Sequence, residues 1–447
     1  MSETALKPAN ENPWYVLMTL YGEQTEGPGD NDLHEKNRAA WNAWSGQALT
    51  NEGQARASEA SGVAEAEFSA WPTMKEAVLQ RHKDEMLRRN GEGFGYRSVP
   101  NPLEGVNLMK TEFSRPLVFN QMVFFGQTFF DGGTMAEDVS CSQSIFLSGA
   151  TFTDVTFCKA ASFNKARFVA DTDFWGASFL GPAWFNRADF TSGAAVIGAK
   201  FDQKAWFQCA KFPNFAVFND ATFNGLANFR LAEFGAAGED KRADFTDCKF
   251  ENPTDFRQAT FHARYPEFAG AILHERTSFT ADDKLWPKGA QADPEGAKAS
   301  CAVIRHNLGK QGLLEEEHFF FRREMELAGQ SGPWLQRPLY WLFGWLSDYG
   351  NSILTPFLWL FLLIALGAYI LTWGLWGGAQ ALGFWEAFGT SFSNVFNFLG
   401  FHRAFLEADF TQKLPQWLKV VSAFQTIFGV VLLFFLGLGW RTRFRLR

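Results

Sequence analysis

The amino-acid sequence predicts a mainly β protein, a solenoid with a helical N-terminal cap and a C-terminal α-helical transmembrane domain of two spans. Three observations lead to this prediction. Phenylalanine returns at alternating steps of six and five residues between 108 and 261, alanine commonly stands two positions before it, and two long uncharged segments lie near the C-terminus. A step of five or six residues fits neither a helix nor a strand, so it indicates stacked coils.

The repeated aromatic positions set the dimensions of the predicted coil. They include Phe146, Phe152, Phe157, Phe163, Phe168, Phe174, Phe179, Phe185 and Phe190, and after Val196 they continue with Phe201, Phe207, Phe212, Phe218, Phe223, Phe229 and Phe234. A narrow coil has room for one large and one small inward side chain on each face, which explains the accompanying alanines. If four steps close one coil, each coil takes about 22 residues.

The repeat resembles a known family in its local motif. Ala188-Asp189-Phe190, Ala227-Asn228-Phe229 and Ala243-Asp244-Phe245 are similar to the motif of the pentapeptide-repeat family, which places a small residue, a polar residue and then Leu or Phe in steps of five. The resemblance implies a right-handed quadrilateral β-helix. Because the steps here alternate between five and six, we expect some faces to carry an extra, bulged residue.

Changes in composition divide the chain into four predicted parts. They are a mostly helical N-terminal cap at 1–100, the pentapeptide-repeat-like β-helix at 101–281, a linker and helical hairpin at 282–333, and a membrane domain at 334–447. Within the cap, the apolar run from Trp14 to Met18 is predicted to be a strand or an interfacial patch. The segment from Gly235 to Asp240 interrupts the repeat and is predicted to be a protruding loop.

The membrane domain is predicted from hydropathy and charge. An amphipathic helix comes first, followed by a span at about 352–374, a re-entrant or interfacial helix at about 383–399 and a second span at about 418–440. Arginine follows the second span at Arg441, Arg443, Arg445 and Arg447, and Arg322, Arg323 and Arg337 precede the first. The positive-inside rule therefore predicts that both termini are cytoplasmic. The family resemblance implies a cell inner membrane.

A polar stripe in the second span provides the main site candidates. Ser422, Gln425, Thr426 and Gly429 fall on one face of the predicted helix. An amide inside a span is costly unless it faces water or a partner, so the stripe is predicted to line a pore. The alternative is a contact between helices, made by small residues and one hydrogen bond.

The order of span, half-length helix and span is similar to the two-helix pore module of potassium channels. On that resemblance, 385–396 corresponds to the pore helix and 397–400 to the filter position. The Thr-Val-Gly-Tyr-Gly filter is absent, so potassium selectivity is not expected. The further pore-lining candidates are Asn394, Asn397 and Gly400, with Glu386 as the candidate at the outer mouth.

Several classes of function are not expected. The sequence contains no Gly-rich phosphate loop, no G-x-S-x-G and no paired carboxylates, so neither an enzyme nor a cofactor site is predicted. The five cysteines show no metal-binding spacing, and no metal site is predicted. The repeat carries nearly balanced charge, without the basic stripe that nucleic-acid binding needs or the acidic surface that mimicry of DNA needs.

Two hypotheses of function remain. The first is an oligomeric, ion-channel-like pore in the lipid bilayer, regulated by its cytoplasmic β-helix. With only two spans in each chain, this hypothesis requires a homo-oligomer. The second is a membrane-anchored scaffold without transport activity, in which an unknown protein partner binds the faces of the β-helix.

Overall fold

The structure is a computed structural model that describes residues 6–25, 30–236, 241–375, 382–397 and 414–444. The chain divides into two compact units, Met1–Phe320 and Phe321–Arg447. The first unit holds the repeat and the helices around it, and the second holds the apolar helices of the C-terminal part.

The first unit is a four-sided solenoid whose short parallel strands stack into four sheets within the described residues, here called faces 1 to 4 in chain order. Face 1 contains Val106–Asn107, Thr128–Phe129, Ala150–Thr151, Thr172–Asp173, Gly193–Ala195, Phe215–Val217 and Ala243–Asp244. Face 2 contains Lys7–Pro8, Thr111–Phe113, Thr134–Met135, Thr156–Phe157, Ser178–Phe179, Lys200–Phe201, Thr222–Phe223 and Lys249–Phe250. Face 3 contains Leu117–Val118, Val139–Ser140, Ala161–Ser162, Ala183–Trp184, Ala205–Trp206, Ala227–Asn228 and Thr254–Asp255. Face 4 contains Val123–Phe124, Ile145–Phe146, Arg167–Phe168, Asp189–Phe190, Lys211–Phe212, Glu233–Phe234 and Thr260–Phe261.

The strand register confirms the predicted solenoid. Thr156 pairs with Ser178, and Ser178 pairs with Lys200, so a strand pairs with the strand that lies 22 positions further along the chain. Because the coil contains two eleven-residue repeats, inward phenylalanines such as Phe157, Phe179 and Phe201 lie above one another in successive coils.

The core is made of aromatic stacks that run along the solenoid. On face 3 the ring of Phe185 lies 5.0 Å from that of Phe163 and 4.8 Å from that of Phe207, with interplanar angles of 5° and 1°. Ala166 and Ala188, two positions before a phenylalanine, are fully buried. Large and small side chains therefore alternate in the core of the coil.

The five-residue corners share one unusual backbone conformation. In the corner from Phe163 to Phe168, the Ala166 amide donates to the Phe163 carbonyl over 3.0 Å, and Lys165 has a φ of +57°. The equivalent residues also have positive φ, and they include Gln121, Gly132, Gln143, Asp154, Gly176, Arg187, Gly198, Cys209, Asp220, Leu231, Asp247 and Gln258. A positive φ at the third residue of a turn normally favours glycine, which occupies only some of these corners.

The helices before the solenoid form a cap on its first coil. They are α1 (Pro13–Met18), α2 (Asn31–Gly46), α3 (Asn51–Ser61), α4 (Glu65–Phe68) and α5 (Trp71–Asn90), with 3-10 turns at Ala9–Glu11 and Glu92–Phe94. The predicted strand or interfacial patch at Trp14 to Met18 is wrong, because this run is α1 and its side chains are buried. Asn12 caps α1 by accepting a hydrogen bond from the Trp14 amide, and Pro13 occupies the first turn.

Side chains of α2 form hydrogen bonds with backbone groups at the open edge of the first coil. The Trp41 ring lies 5.2 Å from that of Phe124, and its indole N–H donates to the Val123 carbonyl over 2.9 Å. The Asn42 amide accepts from the Val123 N–H and donates to the Gln121 carbonyl. This amide therefore replaces the strand that would otherwise pair with this edge.

Two further helices follow the last coil, α6 (Pro294–Lys310) and α7 (Leu314–Ser331). The Asn307 amide donates to the His274 carbonyl over 2.9 Å, and the Gln311 amide donates to the Thr277 carbonyl over 2.8 Å. α6 therefore closes the C-terminal end of the solenoid in the same way that α2 closes the other end. Part of the predicted loop at Gly235 to Asp240 lies outside the described residues.

The second unit contains α8 (Arg337–Ser347), α9 (Leu354–Gly374), α10 (Phe384–Val395) and α11 (Gln416–Phe444). α8 packs across the ends of the longer helices, since the Trp345 ring lies 4.1 Å from that of Trp359 and the Phe343 ring lies 5.5 Å from that of Phe435. α10 packs against both α9 and α11.

Candidate functional site

Among the described residues, two helices are long and apolar enough to cross a membrane, Leu354–Gly374 in α9 and Gln416–Thr442 in α11. Large apolar side chains on both are exposed, among them Phe361 at 61% and Phe434 at 66%. The exposure of so many large apolar side chains on these helices is unfavourable in water.

α10 is a short amphipathic helix that lies within this unit. Its Phe384 and Trp385 are exposed, whereas Ser391 and Asn394 are buried. Glu386, the predicted outer-mouth residue, lies in the first turn and is exposed, and its carboxylate accepts a hydrogen bond from the Gly383 amide over 3.0 Å. It therefore caps the start of α10.

The centre of the unit is a polar cluster of Ser391, Asn394, Gln425 and Thr426, contributed by α10 and α11. The Gln425 amide nitrogen donates to the Ser391 hydroxyl over 2.7 Å and to the Leu363 carbonyl over 3.1 Å. Its oxygen accepts from the Asn394 amide over 3.0 Å. Both ends of the Gln425 amide are therefore satisfied inside one chain.

Hydrogen bonds to the backbone complete the polar cluster. The Ser391 hydroxyl donates to the Ile364 carbonyl over 2.7 Å, and the Thr426 hydroxyl lies 3.0 Å from the Asn394 carbonyl and 3.1 Å from the Ser422 carbonyl. These bonds connect α9, α10 and α11 without an ionisable side chain. In a low-dielectric environment such contacts are expected to hold the three helices in one arrangement.

The structure brings some of the predicted pore-lining residues together. Asn394 and Gln425 are buried, each 3% exposed. Gly429 lies directly against Val395, where an added Cβ atom would be 3.0 Å from the valine side chain. Ser422 is half-buried. In the single chain, the stripe therefore faces other helices, and its role in lining a pore stays a prediction.

Asn397 and Gly400 are the remaining candidates. Asn397 is exposed and outside the polar cluster. Gly400 lies outside the described residues, as does most of the predicted filter position. The filter hypothesis therefore also stays a prediction.

Sequence reasoning missed two members of this site. Ser391 lies one helical turn before Asn394 and therefore on the same face of α10, a spacing that could have identified it. Gly367 in α9 has no side chain at the point where the Gln425 amide and the Ser391 hydroxyl approach. A lone glycine in an apolar segment gives no such indication by itself. Within the described residues, no group of histidine, cysteine or acidic side chains is arranged to hold a metal ion.

Comparison with known proteins supports the repeat assignment. A family model described as pentapeptide repeats (9 copies) matches residues 240–281, which include the Ala243-Asp244-Phe245 motif. No curated protein and no solved structure matches the chain. The resemblance to the pore module of potassium channels stays a prediction.

Proposed function

We propose that this protein is a non-enzymatic, membrane-anchored scaffold, in which α9 and α11 cross the inner membrane and tether a cytoplasmic β-solenoid that binds a partner. The exposed apolar side chains of α9 and α11 support the anchoring role. A lipid environment removes the unfavourable contact between these side chains and water.

The hydrogen bonding of Gln425 is the observation that carries the scaffold proposal. A pore-lining amide needs a face that is open to water, whereas this amide donates and accepts within its own chain. A bundle that satisfies its own polar groups can lie in lipid without a water-filled channel.

The proposed topology follows from the positive charges at both ends of the membrane segment. Because Arg337 precedes α9 and Arg441 lies at the end of α11, we propose that both termini are cytoplasmic. Fusions of alkaline phosphatase and green fluorescent protein to each terminus test this topology. We expect fluorescence and no phosphatase activity from both positions, and phosphatase activity at either terminus contradicts the proposal.

A homo-oligomeric, ion-channel-like pore regulated by the solenoid is the second candidate function. The observation that favours it is the short helix α10, which lies between two candidate spans and buries the polar residues Thr390, Ser391, Ser393 and Asn394. A half-length helix between two spans is also the arrangement of two-helix pore modules.

Planar-bilayer recording of the purified protein distinguishes the two candidates. The wild type is compared with Gln425→Leu and with Phe424→Leu, which changes an exposed apolar neighbour on the same helix. The scaffold proposal expects no discrete conductance from folded protein. Discrete conductance that Gln425→Leu alters and Phe424→Leu leaves unchanged would instead establish the pore.

A further inference from the structure

Face 3 of the solenoid carries an open recess of about 580 Å³ near the N-terminal end of the repeat. This volume is within the range of about 300–1,000 Å³ that is usual for small-molecule sites. The residues that line it include Val118, Ser140, Ser162, Asn164, Trp184 and Asn186. All of them belong to the first unit.

The outward side chains of face 3 change in size along the solenoid axis. Ser140 pairs with Ser162, Ser162 pairs with Trp184, and Trp184 pairs with Trp206 on the next coil. Ser140, Ser162 and Trp184 line the recess, and Trp206 follows Trp184 on the next coil. The column from Val118 to Trp184 covers three coil spacings, about 14 Å at about 4.8 Å each.

A chain of hydroxyl and amide groups borders the recess along one corner. The Ser142 hydroxyl lies 3.0 Å from that of Ser162, to which the Asn164 amide donates over 2.9 Å. The Asn164 oxygen accepts from the Asn186 backbone N–H over 3.0 Å, and the Asn186 oxygen accepts from the Gln208 backbone N–H over 3.2 Å. Each asparagine is thus fixed in orientation by the coil that follows it.

Hydrogen-bond donors of this recess remain available to a ligand. Among the described residues, neither the Asn186 side-chain NH₂ group nor the indole N–H of Trp184 donates a hydrogen bond, and both residues are half-buried. The only ionisable side chain in the lining is Asp138, whose carboxylate already accepts from the Ala160 amide over 3.1 Å. The recess is therefore mainly apolar and nearly uncharged, with a row of hydroxyl and amide groups and one indole ring in its lining.

We propose that this recess and the adjoining Trp184–Trp206 pair bind a neutral oligosaccharide. A pyranose ring has apolar C–H faces that stack on an indole, and equatorial hydroxyls that both donate to and accept from amides and hydroxyls. A row of such groups that repeats at each coil fits an extended chain of sugars. An anionic polymer would need basic side chains, and the lining residues supply none.

This proposal goes beyond membrane anchoring and does not depend on it, because every residue that it uses lies in the solenoid. The anchoring proposal can fail in a topology or fractionation experiment while this site remains testable by ligand binding.

Isothermal titration calorimetry of the full chain in lipid nanodiscs tests the site, since nanodiscs avoid detergents with sugar headgroups. The probes are cellohexaose, maltohexaose and chitohexaose, with hexagalacturonate as the anionic comparison. The variants are Trp184→Ala, Trp206→Ala and Ser162→Leu, which enlarges a side chain in the lining of the recess. Trp175→Ala is the matched control, because Trp175 is 58% exposed and lies outside face 3.

We expect at least one neutral hexasaccharide to bind, and each face 3 variant to weaken its binding about tenfold, the equivalent of about 1.4 kcal/mol. Trp175→Ala should bind as the wild type does. The absence of binding by folded wild-type protein at millimolar saccharide overturns the proposal. Unchanged affinity in Trp184→Ala, Trp206→Ala and Ser162→Leu also overturns it. The same holds if Trp175→Ala loses as much affinity as the face 3 variants, or if hexagalacturonate binds more tightly than the neutral saccharides.

Discussion

At Gly367, a hydrogen atom in place of a side chain allows the Gln425 amide to reach the backbone of α9. A Cβ atom built at this position would overlap the Gln425 amide nitrogen and would lie 2.5 Å from the Ser391 hydroxyl. The polar cluster therefore depends on one glycine that lies more than fifty positions away from Gln425 in the sequence.

Gly367→Ala should lower the stability of the helical unit, because the added methyl group displaces Gln425 from three hydrogen bonds. We expect the free energy of unfolding to fall by about 1–3 kcal/mol, as it does when other protein interiors are overpacked. Thermal unfolding in nanodiscs measures this change. Gly437→Ala is the control, since an added Cβ atom at Gly437 would meet nothing within 4 Å. An equal effect of the two substitutions would contradict the role of Gly367.

Positive φ at the five-residue corners has a cost that depends on the side chain. Lys165 and Lys200 are both exposed, but Lys165 has a φ of +57° whereas Lys200 belongs to a strand. A branched Cβ clashes with the backbone in the left-handed region and is favourable in a strand.

Lys165→Val should therefore destabilise the solenoid by at least about 1 kcal/mol. Lys200→Val, with the same change in composition and charge, should be neutral or slightly stabilising. Urea unfolding followed by circular dichroism compares the two variants. A loss of stability that is the same for both would show that the corner conformation is not responsible.

Among the helices, the N-terminal cap buries two histidines, one in α2 and one in α5. His82 is fully buried in α5, and its ring nitrogen lies 3.1 Å from the Pro13 carbonyl. Burial lowers the pKa of His82 below its usual 6.5; the hydrogen bond to the Pro13 carbonyl opposes this effect, and the Arg89 guanidinium adds a smaller lowering. Burial and the Arg38 cation likewise lower the pKa of His34 in α2, against the smaller opposing effects of the Val118 and Asn120 backbone and of Glu35.

The stability of the cap should consequently fall in acid. Because the unfolded chain takes up a proton near pH 6.5 and the folded cap resists it, stability is fully present above this pH and is lost as pH falls below it. His82→Gln should reduce the difference in the urea midpoint between about pH 7 and pH 5. His262→Gln changes an exposed histidine and should leave that difference unchanged. An unaltered difference in His82→Gln would contradict this prediction.

At the scale of the whole molecule, the chain contains two compact units with different sources of stability. The solenoid depends on stacked aromatic rings, since Phe207 is 1% exposed and lies 4.8 Å from Phe185 and 4.9 Å from Phe229. The helical unit depends on apolar contacts and the polar cluster. We therefore expect unfolding in two transitions instead of one.

Phe207→Ala should shift only the solenoid transition. We expect the free energy of unfolding to fall by about 3–5 kcal/mol, as for other fully buried aromatic rings. Gly367→Ala should shift only the transition of the helical unit. Calorimetry of the full chain in nanodiscs, with both variants measured separately and together, tests this independence. A single transition, or one that moves in both variants, would contradict it.

The solenoid and the candidate spans are predictable from the sequence, because both depend on local patterns. Each coil contacts only its neighbours, so the spacing from Phe163 to Phe185 already defines the coil, and span length follows from hydropathy over a short window. The sequence also contains a sign of the positive φ at the corners, because Gly132, Gly176 and Gly198 occupy the same repeat position as Lys165.

The conformation and contacts of other segments depend on residues that are distant in the sequence. The run from Trp14 to Met18 is too short to distinguish helix from strand by periodicity, and in the structure it is α1, packed against α2 and α5. The partners of Gln425 lie 31 to 62 positions away, at Asn394, Ser391 and Leu363. A polar stripe shows that an amide needs a partner, but only the packing of three helices brings that partner within hydrogen-bond distance.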